Sequence, residues 1–330
     1  MEERKFYLAQ CCVCFTTNKA YLFPTVVSAV QARAHSSQNL TDVAVYCVGA
    51  ESQETEDFAE VCATEKIQFT CINPRVTDHS HIAYSRLFLD SFVPERYTQF
   101  LYIDGDTQVN GPLDPLITAD VPAGSFLAAT DPIAFKYNQV ADAPKELQGY
   151  FKRLGISSIK QYFNSGVLRI NRKGWAQVGS RAYDFCRATN KNVLHFWDQD
   201  GLNAVAADSG VRLPMSIKYN FPIFLRNCRI EGPVQPAIYH FMSAPKPWNG
   251  NFPPWNRAAT LPYSHISRKY PKLSRYQLPF SNWQKARYIL QQRAKQLDEA
   301  VNWGLSWRRK EVLLYEHQCK QFGIQAEWSS

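Results

Sequence analysis

The stretch Phe100-Leu101-Tyr102-Ile103-Asp104-Gly105-Asp106 governs the interpretation of the chain, because an apolar run leads directly into two carboxylates separated by one glycine. The apolar run is typical of a buried strand, and the Asp-Gly pair favours a tight turn. Two carboxylates on such a turn can face one hard cation, such as Mg²⁺ or Mn²⁺, that also binds substrate phosphates. A simple polar turn has the same sequence, so the triplet alone leaves both interpretations open.

Upstream of this turn, apolar runs alternate with helix-like stretches. The predicted strands are residues 6–15, 41–48, 67–72 and 100–103, and the predicted helices are residues 21–34, 54–64 and 83–92. Strands that alternate with helices favour an α/β fold with a parallel sheet covered on both faces. Ligands of such sheets bind beyond the carboxyl ends of the strands, where the Asp104 turn would project.

Downstream of Gly124 the pattern becomes mixed. It predicts strands at 126–129, 166–170 and 237–241, a helical or looped insertion at 144–159, and a short helix at 200–208. Proline is dense from Pro245 to Pro262, so we expect one compact domain over residues 1–262 and a basic, aromatic, mainly helical extension over 263–330. Apolar residues of the extension recur every three or four positions, which is typical of one helix face: Trp283, Ala286, Leu290, Ala294, Leu297, Val301 and Leu305.

The composition is that of a soluble globular protein, with 330 residues, 45% hydrophobic and 20% charged. No stretch approaches the roughly 18 consecutive apolar residues that would span a bilayer. Residues 1–15 fit a first strand better than a signal peptide, because Gln10 interrupts the apolar run and no small-residue cleavage site follows. The nine cysteines are scattered and odd in number, so we expect reduced thiols in a cytoplasmic protein.

Nearly all of the net charge of +8 lies near the end of the chain, where residues 265–330 hold twelve Lys or Arg against five Asp or Glu. The nearly neutral body argues against a nucleic-acid partner. Two interpretations of the basic extension stay open. It attaches the protein to an anionic membrane surface, or it packs on the body with its basic face in solvent.

Further polar groups stand where strands are predicted to begin or end. His240 ends an apolar run and is either a metal ligand or a core histidine, and Lys246, between two prolines, suits a diphosphate or is an exposed loop lysine. Asn164-Ser165 could bind sugar hydroxyls or form a turn. Asp198 or Asp200 could equally cap a helix. Arg86 could pair with a phosphate or lie on a solvated face.

Together these motifs resemble glycosyltransferase family 8, the group of glycogenin and the bacterial lipopolysaccharide galactosyl- and glucosyltransferases. The resemblance covers about residues 12–255 and is nearer to the lipopolysaccharide branch. It rests on five motifs in order: Tyr84-x-Arg86-Leu87, Leu101-Tyr102-Ile103-Asp104-Gly105-Asp106, Phe163-Asn164-Ser165-Gly166-Val167, Asp198-Gln199-Asp200-x-x-Asn203 and His240-x-x-Ser243-x-x-Lys246-Pro247-Trp248. It implies a Rossmann-like nucleotide-binding body of the GT-A type with a mixed sheet.

The same resemblance implies the residues of the site. Asp104, Asp106 and His240 would bind Mn²⁺ (or Mg²⁺), and Lys246 would contact the donor diphosphate. Gln199 would lie on the reacting face of the anomeric carbon, with Asp198 as the alternative if a covalent intermediate forms. The other residues implied at the donor are Thr16, Thr17, Tyr21, Arg86, Gly105, Asp131, Asn164 and Ser165.

Two positions depart from the family pattern. The loop Thr16-Thr17-Asn18-Lys19-Ala20-Tyr21 lacks the aspartate that the family usually has near uracil, although Tyr21 could stack on a ring. Ser243 stands where the family commonly has glycine, which lets the backbone approach a phosphate closely. We therefore expect the phosphates and the metal to be held in the family manner, and the base to be held differently.

The predicted function is a metal-dependent retaining hexosyltransferase. It would move galactose or glucose from UDP-galactose or UDP-glucose to a saccharide or lipid-linked acceptor, in the cytoplasm or at the inner face of the membrane. The alternative is a nucleotide-sugar-binding or scaffold protein without turnover. Release of UDP from the donor distinguishes the two.

Overall fold

The computed structural model describes residues 9–189, 194–277 and 279–321. The strands are β1 (Cys11–Thr17), β2 (Thr41–Val48), β3 (Gln68–Ile72), β4 (Gln99–Ile103), β5 (Thr107–Val109), β6 (Phe126–Thr130), β7 (Phe163–Asn171), β8 (Arg212–Pro214), β9 (Phe221–Pro222) and β10 (Ile238–His240). The helices are α1 (Leu22–Ala34), α2 (Gln53–Thr64), α3 (Leu89–Phe92), α4 (Asp114–Ile117), α5 (Lys145–Arg153), α6 (Trp175–Ala188), α7 (Asp198–Ser209), α8 (Glu231–Val234), α9 (Arg257–Lys269), α10 (Asn282–Glu299) and α11 (Trp307–Gln321).

A seven-stranded mixed sheet in the order β3-β2-β1-β4-β7-β6-β8 forms the centre of the α/β fold. β1 to β4 are mutually parallel, whereas β7 runs antiparallel to both β4 and β6. Every residue of β1 is buried, as expected for a parallel strand covered on both faces. The predicted α/β class and mixed sheet are confirmed.

A small second sheet, β5-β10-β9, brings distant parts of the chain to the end of β4. β10 runs antiparallel to β5, which pairs His240 with Thr107. Because Thr107 directly follows Asp106, this register sets His240 beside the aspartate turn. β9 pairs with the other edge of β10, with Pro222 opposite His240.

Most predicted elements are present, with shifted ends. The strand predicted at 6–15 begins at Cys11 and ends at Thr17, and residues 6–8 lie outside the described residues. The strand predicted at 166–170 begins at Phe163, so Asn164 and Ser165 belong to it and do not form a turn before it. The helix predicted at 83–92 is wrong in type. A 3-10 segment, Ile82–Phe88, precedes the single turn α3, which stops before Val93 because that residue is extended ahead of Pro94.

Packing continues across the predicted boundary at residue 262, which stays a prediction. Tyr263, Ile266 and Leu273 are buried in the main core, together with α1 and the sheet. Farther on, Trp303 and Val312 join a separate cluster that includes parts of the body such as Phe221 and Leu225.

The apolar stripe predicted in the extension lies on α10 and its π-helical continuation Ala300–Gly304, but it faces solvent. Its large side chains are 59–80% exposed: Trp283, Leu290, Leu297, Val301 and Leu305. The opposite face contacts the body through Tyr288, buried Gln292 and Glu299. The extension therefore packs on the described part of the body, as one of the two interpretations expected, but through the face opposite the apolar stripe. No described helix is both long and apolar enough to cross a bilayer.

Candidate functional site

Two carboxylates and an imidazole converge at the carboxyl end of β4. Asp104, Asp106 and His240 each offer one ligand atom within 4.8 Å of the others. His240 Nε2 lies 3.1 Å from Asp106 Oδ1 and 3.8 Å from Asp104 Oδ2. The turn joining β4 to β5 and the pairing of β5 with β10 create this cluster from residues far apart in sequence.

Two glycines allow close packing here, Gly166 against the cluster and Gly105 against α1. A Cβ atom added to Gly166 would lie 2.3 Å from His240 Cε1 and 2.9 Å from Asp104 Oδ2. A Cβ atom on Gly105 would lie 2.2 Å from Thr25 Oγ1. Two carboxylates and one imidazole with ligand atoms within 4.8 Å of one another fit a divalent cation such as Mn²⁺.

The electrostatics keep Asp106 ionised. Burial would raise the pKa of Asp106, but Lys246 and His240 outweigh burial and hold that pKa well below its ordinary range. Lys246 Nζ lies 2.6 Å from Asp106 Oδ2. An ammonium group beside a carboxylate that could hold a cation would suit a diphosphate.

Arg86 is buried beside the cluster of Asp104, Asp106 and His240. The alternative position of Arg86 on a solvated face is therefore wrong. Its Nη2 lies 2.9 Å from Asp104 Oδ1, and its Nε lies 3.0 Å from Asp198 Oδ2. A third bond goes from Nη1 to the Ser165 carbonyl oxygen at 2.7 Å. Burial would lower the pKa of Arg86, but the two carboxylates raise it. Arg86 therefore stays charged and fixes both carboxylates.

A second polar cluster lies beyond Arg86. Gln199 accepts from the Ser165 N–H at 3.1 Å, and its Nε2 donates to Tyr162 at 3.0 Å and to Asp131 at 3.4 Å. Asn164 also donates to Asp131, at 3.1 Å. Burial raises the pKa of Asp131, and burial raises the pKa of Asp198 to about 6. The amide and carboxyl groups implied for the donor sugar are therefore brought together.

Neither Asp198 nor Asp200 is the N-cap of α7, so the alternative role of these residues as helix caps is wrong. Trp197 precedes the helix with φ 52° and ψ −110°. Asp200 Oδ2 accepts from the backbone N–H groups of His195 at 2.8 Å and Phe196 at 3.0 Å, whereas its Oδ1 accepts from Tyr162 at 3.0 Å. Asp200 thus holds the segment before the helix, and Asp198 stays available to the site.

A cavity of about 360 Å³ opens beside the aspartate turn. Its lining includes the residues implied for the nucleotide part of the donor: Thr16, Thr17, Tyr21, Arg86, Asp104, Gly105 and Asp106. Tyr21 is 39% exposed, and its ring meets Trp248 edge-on at 5.5 Å. A neighbouring cavity of about 470 Å³ is lined by Asp78, His81, Tyr84, Arg187 and Trp197, among others. His81 borders both cavities.

Asn220 and Tyr162 are the main site residues that sequence reasoning missed. Buried Asn220 places its Oδ1 2.8 Å from His240 Nδ1 and donates through Nδ2 to Asn164 Oδ1 at 2.9 Å. No sequence motif marks Asn220. Tyr162 stands beside the Asn164 motif, but next to Phe163 it indicates only a pair of buried rings.

Comparisons with known proteins agree with this geometry. The family model "Glycosyl transferase family 8" matches residues 12–251. The lipopolysaccharide glucosyltransferase WaaO of Escherichia coli (strain K12) is 28% identical over 242 residues, which cover 64% of this chain and 68% of WaaO. General stress protein A of Bacillus subtilis (strain 168) is 26% identical over 206 residues, covering 56% of this chain and 68% of that protein.

The fold is also that of solved glycosyltransferase structures. The galactosyltransferase LgtC, in complex with donor and acceptor sugar analogues, superposes with a TM-score of 0.57 at 20% identity, covering 84% of this chain and 99% of LgtC. This likeness shows the GT-A fold, and the match to the family model covers most of the chain. The chain belongs to glycosyltransferase family 8.

Proposed function

We propose that the protein is a metal-dependent retaining hexosyltransferase that moves galactose or glucose from a UDP-sugar to a saccharide or lipid-linked acceptor. The observation that carries the proposal is the convergence of Asp104, Asp106, His240 and Lys246, with the two aspartates lining a cavity. Three of these residues fit a divalent cation, and the fourth fits the diphosphate attached to it.

Transfer leaves negative charge on the departing diphosphate. Bound Mn²⁺ or Mg²⁺ would stabilise that charge as a Lewis acid. Lys246 adds a second positive centre from a partly buried position, where a charge acts more strongly than in water. Arg86 bridges Asp104 and Asp198, and thereby fixes the phosphate end of the site relative to the sugar end.

For retention of configuration we propose a front-face route through an ion-pair-like state. The Gln199 amide is a weak nucleophile, and both ends of it are engaged, with Ser165 on one side and Tyr162 on the other. Asp198, the alternative nucleophile, faces Arg86 and the Ser165 hydroxyl. Both partners contact Asp198 Oδ2, so a covalent intermediate formed through that oxygen would require it to leave them.

We propose that the saccharide acceptor reaches the donor through the cavity beside Trp197. It adjoins the donor cavity at His81 and combines aromatic rings with the Asp78–Arg187 ion pair. Aromatic faces with a few directed polar groups suit sugars, and about 470 Å³ is within the usual size of small-molecule sites.

The test is metal-dependent release of UDP from UDP-galactose and UDP-glucose. Asp104→Asn and Asp106→Asn should abolish release, and Gln199→Ala should lower turnover much more than donor affinity. A double Asp104→Asn, Asp106→Asn variant that is fully active with a chelator would contradict the metal role. Tight donor binding without any release, with or without saccharide acceptors, would favour the non-catalytic binding protein.

We further propose that the protein attaches peripherally to the inner face of an anionic membrane through α10. At 100° per residue, exposed Arg287 and Arg293 flank the exposed stripe on opposite sides. An apolar stripe that begins at Trp283, flanked by arginines, suits the boundary between acyl chains and anionic headgroups.

Vesicle binding tests this attachment. Leu290→Gln with Leu297→Gln should abolish sedimentation with phosphatidylglycerol-containing vesicles, and Gln284→Ala with Gln296→Ala, off the stripe, should leave sedimentation unchanged. Equal binding of all variants would contradict the membrane role. Concentration-dependent dimerisation that is lost in the leucine variant would indicate a second copy as the occupant of the stripe.

A further inference from the structure

Asn220 occupies a buried position between the cluster of Asp104, Asp106 and His240 and the polar cluster that contains Asn164 and Asp131. It follows the 3-10 turn Ile217–Tyr219 and precedes β9, whose pairing with β10 holds it next to His240. Its side-chain amide contacts His240 at one end and Asn164 at the other, at 2.8 and 2.9 Å.

The direction of each hydrogen bond is fixed by a backbone group. The Gly166 N–H can only donate, and it donates to Asn164 Oδ1 at 2.9 Å. The Asn164 oxygen therefore faces Asn220 as an acceptor, so the NH₂ end of Asn220 must lie there and its oxygen must face His240. An oxygen at that place requires a hydrogen on His240 Nδ1.

With hydrogen on Nδ1, His240 would bind a cation through a lone pair on Nε2; without a cation, Nε2 lies 3.1 Å from Asp106 Oδ1 and can donate a hydrogen bond to it. That nitrogen is the one that faces Asp104 and Asp106. A metal-binding histidine commonly has its other ring nitrogen held in this way, and such partners affect metal affinity almost as much as the ligands do.

We propose that Asn220 is a positioning residue that fixes the metal-binding tautomer of His240 and couples it to the sugar-side amide Asn164. The coupling continues from Asn164 to Asp131, which also accepts from Gln199. This inference rests on the proposed function, because it assigns Asn220 a role toward the same metal and donor. Metal affinity and alignment of the sugar would thus both depend on the Asn220 side chain, although it contacts neither the metal nor the sugar.

Two substitutions separate the two halves of this role. Asn220→Asp keeps an acceptor for His240 Nδ1 but cannot donate to Asn164, so Mn²⁺ affinity should be kept and kcat should fall. Asn220→Leu removes both bonds, so Mn²⁺ affinity should also fall, by about 10- to 100-fold. Asn110→Leu, at an exposed asparagine beyond β5, is the matched control and should bind Mn²⁺ like the unaltered protein.

Mn²⁺ affinity is measured without donor, by electron paramagnetic resonance of the free ion, and folding is checked by circular dichroism. The ¹⁵N chemical shift of His240 Nδ1 in the metal-free, unaltered protein should be that of a nitrogen that carries hydrogen. A ring with hydrogen on Nε2 alone there, or Mn²⁺ affinity of folded Asn220→Leu within twofold of the unaltered protein, would overturn the inference. Absence of Mn²⁺ binding by the unaltered protein would instead contradict the proposed function, and the tautomer measurement would still test the role of Asn220.

Discussion

At the scale of single residues, Gly166 lies against His240 with no space for a side chain. We predict that Gly166→Ala weakens Mn²⁺ binding at least tenfold, because the methyl group would lie 2.3 Å from His240 Cε1 and displace the ring. Gly232→Ala is the control, since a Cβ atom there meets nothing within 4 Å. Equal Mn²⁺ affinity of both variants in calorimetric titrations would disprove the close approach.

Asp198 gives the reaction an expected acid limit. Burial raises its pKa to about 6, against the opposing charge of Arg86, so the carboxylate takes up a proton as pH falls from 7 to 5. Protonation removes the negative charge of Asp198, which pairs with Arg86 and is available to accept a hydrogen bond from a sugar hydroxyl. We therefore expect kcat/KM for UDP release to fall between pH 7 and pH 5. Mn²⁺ binding measured over the same range separates this effect from loss of metal. A flat profile down to pH 5 would contradict it.

Residues in ordered motifs could be predicted from the sequence, and residues that only orient them could not. The motifs around Asp104 and His240 indicated metal ligands without any knowledge of register, and the structure brings those residues together. Asn220 was missed because its role depends on two partners that approach it only through the pairing of β9 with β10. An isolated asparagine has no such signal in its local sequence.

At the scale of elements, α10 shows what periodicity can establish. The spacing of apolar residues predicted the helix, but it could not say which face meets the body, because an apolar stripe usually faces a core. Here the inner contacts include the stacked pair Phe280–Tyr288 at 4.9 Å and the bond from Asn227 to Glu299 at 2.7 Å. β9, with two residues, is likewise too short for its pattern to be recognised.

Two tryptophans of the extension test this orientation. Trp303→Ala should cost about 3–5 kcal/mol in the free energy of unfolding, because its ring is buried against Phe224 and the surrounding cluster. Trp283→Ala should change stability by less than about 0.5 kcal/mol, since its side chain is 77% exposed. Urea unfolding followed by circular dichroism measures both. A larger loss for Trp283 would mean that the stripe packs on the protein itself.

At the scale of the whole molecule, strand–helix alternation predicted the parallel part of the sheet, but the antiparallel position of β7 between β4 and β6 depends on pairing across the chain. The boundary predicted at residue 262 likewise depends on contacts that the local sequence does not reveal. Dense proline indicated an end to the body, whereas burial of Tyr263 and Leu273 in the main core depends on the tertiary structure.

We therefore predict that a chain ending at Pro262 lacks a cooperative thermal transition. Each large buried apolar side chain contributes about 1.5–3 kcal/mol, and domains are stable by only about 5–15 kcal/mol. Such a chain loses five buried side chains from two clusters: Tyr263, Ile266, Leu273, Trp303 and Val312. A chain ending at Gln277 keeps the first three and should retain a transition at a lower temperature. Equal near-ultraviolet circular dichroism and Mn²⁺ affinity in the Pro262-terminated and full chains would instead establish an independent catalytic domain that ends at residue 262.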